Sequence, residues 1–469
     1  MIMEDQERTE KYNEDALRYS EYFKGKIQTI SKVPVRSLDD FSIWYTPGVA
    51  AVSKKIASDP DLSFELTGRW NSIAILTDGT RVLGLGNIGP EAAMPVMEGK
   101  ALIFNYLGGV NAIPVPIRVK SREEFVSVAK ALEPSFGGIN LEDIESPKCF
   151  FLLEPSFGGF NLEDIESPKC FFVLRDLQKE LKVPAWHDDQ LGTASITLAG
   201  VINALRVVGK KIDQVKVVFN GAGAANIAAA FLFKAAGFKM KNMILVDSKG
   251  ILQPEREDID SLMINNPWKY QLAIETNGER IKGDLSNAVE GADLLISAAK
   301  SGPDTIDSKV VKKMNKDAVV FVLANPIPEM WPEEAKENGA RIVATGRSDF
   351  PNQINNSLVF PGVFRGVLDA RAKGVNFDVM VAASYEIANF VEEPSEEKIV
   401  PTMEEWELYP RLASAVASKT VELGLARKND SKEGFYRRAR EIIEGNRNIY
   451  SKLMDLGLIK RMPNGEHKY

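Results

Sequence analysis

Three acidic pairs, Glu142-Asp143, Glu163-Asp164 and Asp188-Asp189, each sit beside an apolar run. Adjacent side chains on a strand point to opposite faces, so both members of a pair reach one ion only where the strand ends and the chain turns. After the first two pairs a Ser-Pro step supplies that turn. Carboxylates of this kind, completed by substrate and water oxygens, suit Mg²⁺ or Mn²⁺ rather than zinc. On spacing alone, acidic pairs are more often solvated helix caps. Lys100 enters an apolar helical stretch, Pro95–Ala101, rather than a charged face. Desolvation beside another cation would lower its pKa and make it a usable base, whereas a snorkelling lysine is the structural alternative. Tyr45 precedes the rigid turn Thr46-Pro47-Gly48, which could present its hydroxyl to a cleft, although a lone tyrosine is usually core or interface. Asn325-Pro326 ends a strand-like run at the edge where open parallel sheets bind ligands, and Asn355-Asn356 precedes the apolar Leu358–Phe360. Both are equally open to ordinary turn chemistry.

A second kind of chemistry is written at Gly221-Ala222-Gly223-Ala224-Ala225-Asn226. The string follows a strand-like run, Val215–Phe219, and opens an apolar helix, Ala224–Ala236. Glycine permits a tight turn and close backbone approach, and the free N–H groups of a helix start attract a pyrophosphate. Asp247 ends the next apolar run, where a carboxylate can accept hydrogen bonds from a ribose. The context favours a nicotinamide cofactor. Asp247 would repel the 2′-phosphate of NADP and nearby Lys249 would offset that repulsion, so NAD and NADP both stay open.

The elements that must position these groups fall into three parts. Residues 1–190 mix short strands with helices, with Ile73–Thr77 as a strand, a turn at Asp78-Gly79 and a helix over Phe171–Leu181. The spacing of Ile196, Leu198, Ala199, Ile202 and Leu205 predicts a long buried helix from Thr193 to Val208. Over residues 191–390 the runs Val215–Phe219, Met243–Val246, Leu294–Ile296, Val319–Leu323 and Ile342–Ala344 alternate with helical segments, the grammar of βαβ units. Residues 391–469 read as a charged, mainly helical extension. The expected fold class is α/β: an N-terminal α/β substrate domain, a Rossmann-type doubly wound parallel sheet and the helical segment. A chain of 469 residues with net charge −7 lacks the basic face that nucleic acid requires. No run of ~18 uncharged apolar residues and no signal-peptide layout is present, which predicts a cytoplasmic protein without a membrane span. Two histidines, His187 and His467, are too few for a histidine-rich zinc site.

One segment is written twice. Residues 131–151 (ALEPSFGGINLEDIESPKCFF) and 152–172 (LLEPSFGGFNLEDIESPKCFF) agree at 19 of 21 positions, differing at Ala131/Leu152 and Ile139/Phe160. Two copies do not make a solenoid, so the repeat is a tandem duplication inside an ordinary domain. It also makes the two cysteines, Cys149 and Cys170, copies of one position rather than a disulfide framework.

Taken together, the strings YTPGVA (45–50), TDGTRVLGLGNIGPEAAMPVMEGKA (77–101), EPSFGGINLED (133–143), HDDQLGTA (187–194), GAGAANIA (221–228), ANPIPE (324–329) and GRSDFPNQINNSLVFPG (346–362) resemble malic enzymes of the short prokaryotic form. The resemblance implies oxidative decarboxylation of (S)-malate to pyruvate and CO₂ with NAD(P)⁺. It implies Tyr45 as general acid, Lys100 as general base, Arg81 as a clamp for a malate carboxylate, and Asn325, Asn355 and Asn356 as further malate contacts. The Glu-Asp pair of the repeat and Asp189 become metal ligands, with Asp188 as support. Gly221, Gly223, Ala224, Ala225, Asn226 and Asp247 become the dinucleotide site. A homodimer or larger homo-oligomer follows from the same resemblance.

Two departures stand out. Asn226 replaces the family's usual glycine, which predicts looser packing of helix on strand. The repeat duplicates the metal-binding pair. Glu163 lies 26 positions before Asp189, similar to the family spacing, and Glu142 lies 47 before it. Upstream, the first copy keeps the family-like run. Each copy is therefore correct relative to one flank, and 21 residues are expected to loop out at modest entropic cost. Glu163 and Asp164 are the expected ligands because they keep the direct connection to Asp189. Glu142 and Asp143 are the duplicate candidates, and the two registers are expected to exchange. Rival readings are a malolactic-type lyase, a non-catalytic dinucleotide-binding protein disabled by the duplication, and a generic hydroxy-acid or amino-acid dehydrogenase.

Overall fold

The computed structural model describes residues 2–82, 85–144, 159–163, 167–180, 183–303 and 305–460. Asp164, Ser146-Pro147, Cys149 and His467 lie outside the described residues. The first sheet contains β1 (Ser72–Thr77), β2 (Asn111–Pro116), β3 (Gly138–Leu141), β4 (Phe160–Leu162) and β5 (Ala185–His187), in the order β2-β1-β3-β4-β5. Every neighbouring pair is parallel. Both faces of such a sheet are covered, which is why β1, β3, β4 and β5 are almost wholly buried, Asn140, Asn161 and His187 included. After the Asp78-Gly79 turn the chain makes an isolated bridge, Val82 to Gly86, and both neighbours of β1 run parallel to it.

The duplication is resolved here, and not as a loop. β3 belongs to the first copy and β4 to the second, and they pair in register: Ile139 with Phe160, Asn140 with Asn161, Leu141 with Leu162. The expectation that one copy loops out, with two exchanging registers, is corrected: both copies occupy the sheet at once. A copied strand presents the same backbone edge and the same burial pattern as its original, so it can satisfy the original's ladder. Residues 142–159 between them exceed the dozen or so that a parallel crossover needs. Ile139 N–H donates to Gly159 O (3.0 Å), and Glu163 N–H donates to Leu141 O (3.1 Å). The identical asparagines stack, with Asn161 Nδ2 donating to Asn140 Oδ1 at 2.6 Å, as in the side-chain ladders of in-register sheets.

The second sheet holds β6 (Val217–Asn220), β7 (Met243–Asp247), β8 (Gly250–Ile251), β9 (Leu294–Ser297), β10 (Ala318–Val322) and β11 (Ala340–Thr345), in the order β11-β10-β9-β6-β7-β8. All its pairs are parallel except β7–β8. The chain leaves β6 towards β7 on one side and later returns to β9 on the other, so a topological switch point opens at the carboxyl end of β6. The predicted helix Thr193–Val208 forms and is buried throughout from Ala194 to Leu205. By composition the segment Asp188–Val208 could cross a membrane, but 78% of its apolar window is buried inside the fold, as in a core helix.

The C-terminal helices do not stand apart. Ile443 of helix Lys432–Asp455 and Tyr409 of helix Leu408–Glu422 share a small core with Leu107, from helix Pro90–Gly108. A buried ion pair fixes the same junction. On helix Phe360–Ala370, Arg365 donates to Asp369 through Nε (3.0 Å) and Nη2 (2.9 Å), and neither residue is exposed. Arg365 also donates to Asn71 Oδ1, Asn71 holds Gly109 O (2.8 Å), and Arg438 reaches Asp369 at 3.1 Å. Removing one partner strands a charge in a dry interior. Asp369→Ala is expected to lower stability by about 3–5 kcal/mol in urea titrations.

Candidate active site

The carboxyl ends of β3, β4 and β5 deliver three carboxylates to one place. Glu142 follows β3, Glu163 follows β4, and Asp188 follows β5. The register that pairs Leu141 with Leu162 and Leu162 with His187 sets them side by side. Facing them is Lys100, from the middle of helix Pro90–Gly108. Its ammonium hydrogen-bonds Glu163 Oε2 and lies 3.5 Å from Glu142 Oε1 and 4.0 Å from Asp188 Oδ2. The ring of Phe360 lies below it, 4.6 Å from Nζ to centroid. Asn140 Nδ2 donates to Glu142 (2.6 Å) and Asn356 Nδ2 donates to Asp188 (2.7 Å).

Burial pushes Lys100 down in pKa, as the sequence led us to expect. The coulombic pull of Glu142, Glu163 and Asp188 outweighs it, and the group lies well above its usual value. In this arrangement Lys100 is therefore a firmly protonated ammonium, a correction to the expectation of a lowered pKa. Asp188 is raised too, well above the ordinary carboxylate range, by burial first and then by the charge of Glu163. Burial alone holds His187 neutral, at about 3.

Several predicted residues lie around this centre. Arg81 N–H donates to Asp143 O (3.1 Å), tying the end of β3 to the loop that follows β1, and Arg81 Nη1 is buried with no hydrogen-bond partner. Asp143 is fully buried with φ +56°, a left-handed conformation that aspartate tolerates better than most residues. Asp189 is farther out, its side chain 35% exposed and 3.9 Å from His187 Nδ1. Asn355 caps the short helical turn Asn356–Leu358 through Ser357 N–H (2.9 Å), so of the asparagine pair only Asn356 touches the carboxylate row. Asn325 is exposed, on the loop after β10. Tyr45 is 70% exposed and stands outside the buried set.

The donor set is all hard carboxylate oxygen, and Asp188 Oδ1 is buried with no hydrogen-bond partner, both of which suit a divalent cation such as Mg²⁺ or Mn²⁺. Among the described residues, no three His, Cys, Asp or Glu side chains converge as a ligand set. The positive charge amid Glu142, Glu163 and Asp188 is that of Lys100.

At the switch point of the second sheet, Gly221 follows β6 with φ +92°, and a Cβ there would lie 2.6 Å from Ala298 O. Only glycine fits. Gly223 is the N-cap of helix Ala224–Ala235, whose first turn contains Ala224, Ala225 and Asn226. Asn226 does not loosen this packing. Its buried Nδ2 donates to Asn220 O and Gly221 O, each at 2.8 Å, bracing the phosphate-binding turn from beneath. Asp247, at the end of β7, is clasped by Arg256 Nη1 (3.0 Å), the Lys269 ammonium and Lys249 N–H (2.8 Å). Burial opposes the ionised form, but the bonds from Lys269 and Arg256 hold Asp247 below its usual pKa.

Some contributors escaped the sequence reading. Arg256 and Lys269 meet Asp247 only through tertiary folding. Glu329, fully buried, accepts from Ser297 Oγ (2.7 Å), Ala299 N–H (2.9 Å) and Ala324 N–H (3.1 Å), which fixes the loop carrying Asn325. Its place at the end of ANPIPE was the available signal.

Residues 24–156 match the family model of the malic enzyme N-terminal domain, and residues 191–422 match that of the malic enzyme NAD binding domain. The chain belongs to the malic enzyme family. It is 44% identical over 414 residues to an NAD-dependent malic enzyme of Geobacillus stearothermophilus, covering 88% of this chain and 80% of that one. It is 42% identical over 416 residues to a bifunctional malic/malolactic enzyme of Bacillus subtilis, covering 88% and 94%. The crystal structure of the Entamoeba histolytica malic enzyme superposes with a TM-score of 0.86 at 36% identity, covering 97% of this chain and 91% of the other. The malic enzyme of Pyrococcus horikoshii superposes at 0.81 with 42% identity, covering 94% and 98%. The two family matches leave residues 157–190 between them, the stretch that contains β4 and β5.

In this malic enzyme the asparagine brace carries a direct expectation. Asn226→Ala removes the side-chain donor shared by Asn220 O and Gly221 O, of which Asn220 O keeps Ala298 N–H (3.0 Å). It should cost roughly 1–3 kcal/mol of stability and raise the NAD(P) dissociation constant, read by urea unfolding and nucleotide fluorescence titration.

Proposed function

We propose that this chain oxidises (S)-malate with NAD(P)⁺ and releases CO₂ to give pyruvate. The reading is carried by one observation: a buried lysine faces carboxylates from three adjacent strand ends, and Arg81, whose Nη1 has no hydrogen-bond partner, is tied by its backbone N–H to Asp143 at the end of the first of those strands. Arg81 would clamp a malate carboxylate, and Asn325 and Asn356, with Asn355 behind them, would hold the rest of the acid. Glu163, Asp164 and Asp189, with Asp188 in support and Glu142 and Asp143 as the duplicate pair, would hold Mg²⁺ or Mn²⁺. A divalent cation bound there would supply Lewis-acid polarisation of the substrate oxygen and would offset the carboxylate charge that keeps Lys100 protonated. Lys100, once neutral, takes the C2 hydroxyl proton as hydride departs to the nicotinamide. Oxidation comes first, since only the β-keto acid loses CO₂ to a stabilised enolate. Tyr45 then returns a proton to C3.

The test is purified protein with malate, Mn²⁺ and each nucleotide in turn, following reduced nicotinamide and pyruvate. Lys100→Met should lower turnover by about 10²–10⁴-fold, and chelation should abolish it reversibly. Lactate formed without reduced nicotinamide would favour the malolactic reading. Nucleotide binding without turnover at any Mg²⁺ or Mn²⁺ concentration would favour the non-catalytic one.

A homodimer or larger homo-oligomer belongs to the same proposal. Ile30, Val35, Leu38, Phe41, Ile43 and Trp44 are between 44% and 83% exposed within one short segment, and Tyr45 adjoins them. An apolar stretch of that kind on a soluble chain is characteristic of an interface. Sedimentation should show a dimer or larger species, and Phe41→Asp should shift it towards monomer with loss of turnover.

A further inference from the structure

We propose that the duplicated unit is an intercalated strand, which parts the two halves of the active cleft by one strand spacing, and that a single-copy chain closes the gap. The proposal rests on the malate reading above. Arg81, tied to the end of β3, belongs to the β1 side of the sheet, and Asp188 and Asp189 follow β5 on the other side. β4 stands between them, adding about 4.8 Å.

Two observations support intercalation. The two copies offer interchangeable edges. Phe160 N–H donates to Pro184 O (2.6 Å) just as Ile139 N–H, the equivalent amide, donates to Gly159 O (3.0 Å). With one copy removed, β5 can therefore take β4's place against the remaining Gly-x-Asn-Leu strand in the same register. Next, the copy adds a third carboxylate to a row that one ammonium must serve.

The experiment compares the full chain with two contraction variants lacking residues 131–151 or 152–172. Mn²⁺ binding is followed by electron paramagnetic resonance, binding of oxalate, a non-reactive dicarboxylate, in Mn²⁺ by calorimetry, and stability by thermal melting. Both contracted chains should fold, melt no lower than the full chain, and bind oxalate at least tenfold more tightly, with similar values in the two. Oxalate affinity unchanged or weakened, with Mn²⁺ bound by all three chains, would overturn intercalation and leave the malate reading standing. Failure of both contracted chains to fold would also overturn it, because β4 would then be an integral strand. Absence of Mn²⁺ and oxalate binding in all three chains would overturn the malate reading and this inference with it.

Discussion

Three carboxylates sharing one buried ammonium is the arrangement on which the site depends. Glu142, Glu163 and Asp188 could not stand on adjacent strand ends unneutralised, because like charges in a low-dielectric interior repel too strongly. Lys100 resolves the conflict only because helix Pro90–Gly108 crosses the sheet with the lysine at its middle, over the ring of Phe360. That ring comes from helix Phe360–Ala370, which the Arg365–Asp369 pair ties to Asn71 on one side and to Arg438 on the other. The C-terminal helices are thus part of the scaffold beneath the lysine. One ammonium faces three carboxylates, and burial first, then the charge of Glu163, raises Asp188 above the ordinary carboxylate range.

Much of this was legible in the sequence, and the limits have physical causes. The runs Met243–Val246 and Leu294–Ile296 became β7 and β9 almost residue for residue, because strands buried on both faces must be continuously apolar. The turn at Gly221 was legible because a positive φ against a carbonyl admits no other residue. Val215–Phe219 was misplaced by about two residues relative to β6, whose polar last residue, Asn220, hides its end. Asn226 was misread by analogy with glycine, since a side chain was counted as bulk and its two donated hydrogen bonds are tertiary facts. Lys100 was expected to be a depressed base because its own neighbours in sequence are apolar. The three carboxylates that reverse the shift arrive from 42 to 88 positions away in the chain.

The duplication shows how tolerant a parallel sheet is of an added unit. A hairpin sheet that gained one strand would reverse the direction of everything after it. A parallel sheet gains a strand together with its crossover, so the chain re-enters in the same direction and every later element keeps its orientation. Backbone pairing is indifferent to which strand lies alongside, and the ladder closes on both sides of β4. Side chains at the new seam match as well, because Asn140 and Asn161 are copies and Asn161 Nδ2 donates to Asn140 Oδ1. The sheet therefore accepts the insertion in its hydrogen-bonded backbone, and the active site, built from side chains at strand ends on either side of β4, is where the added width is felt.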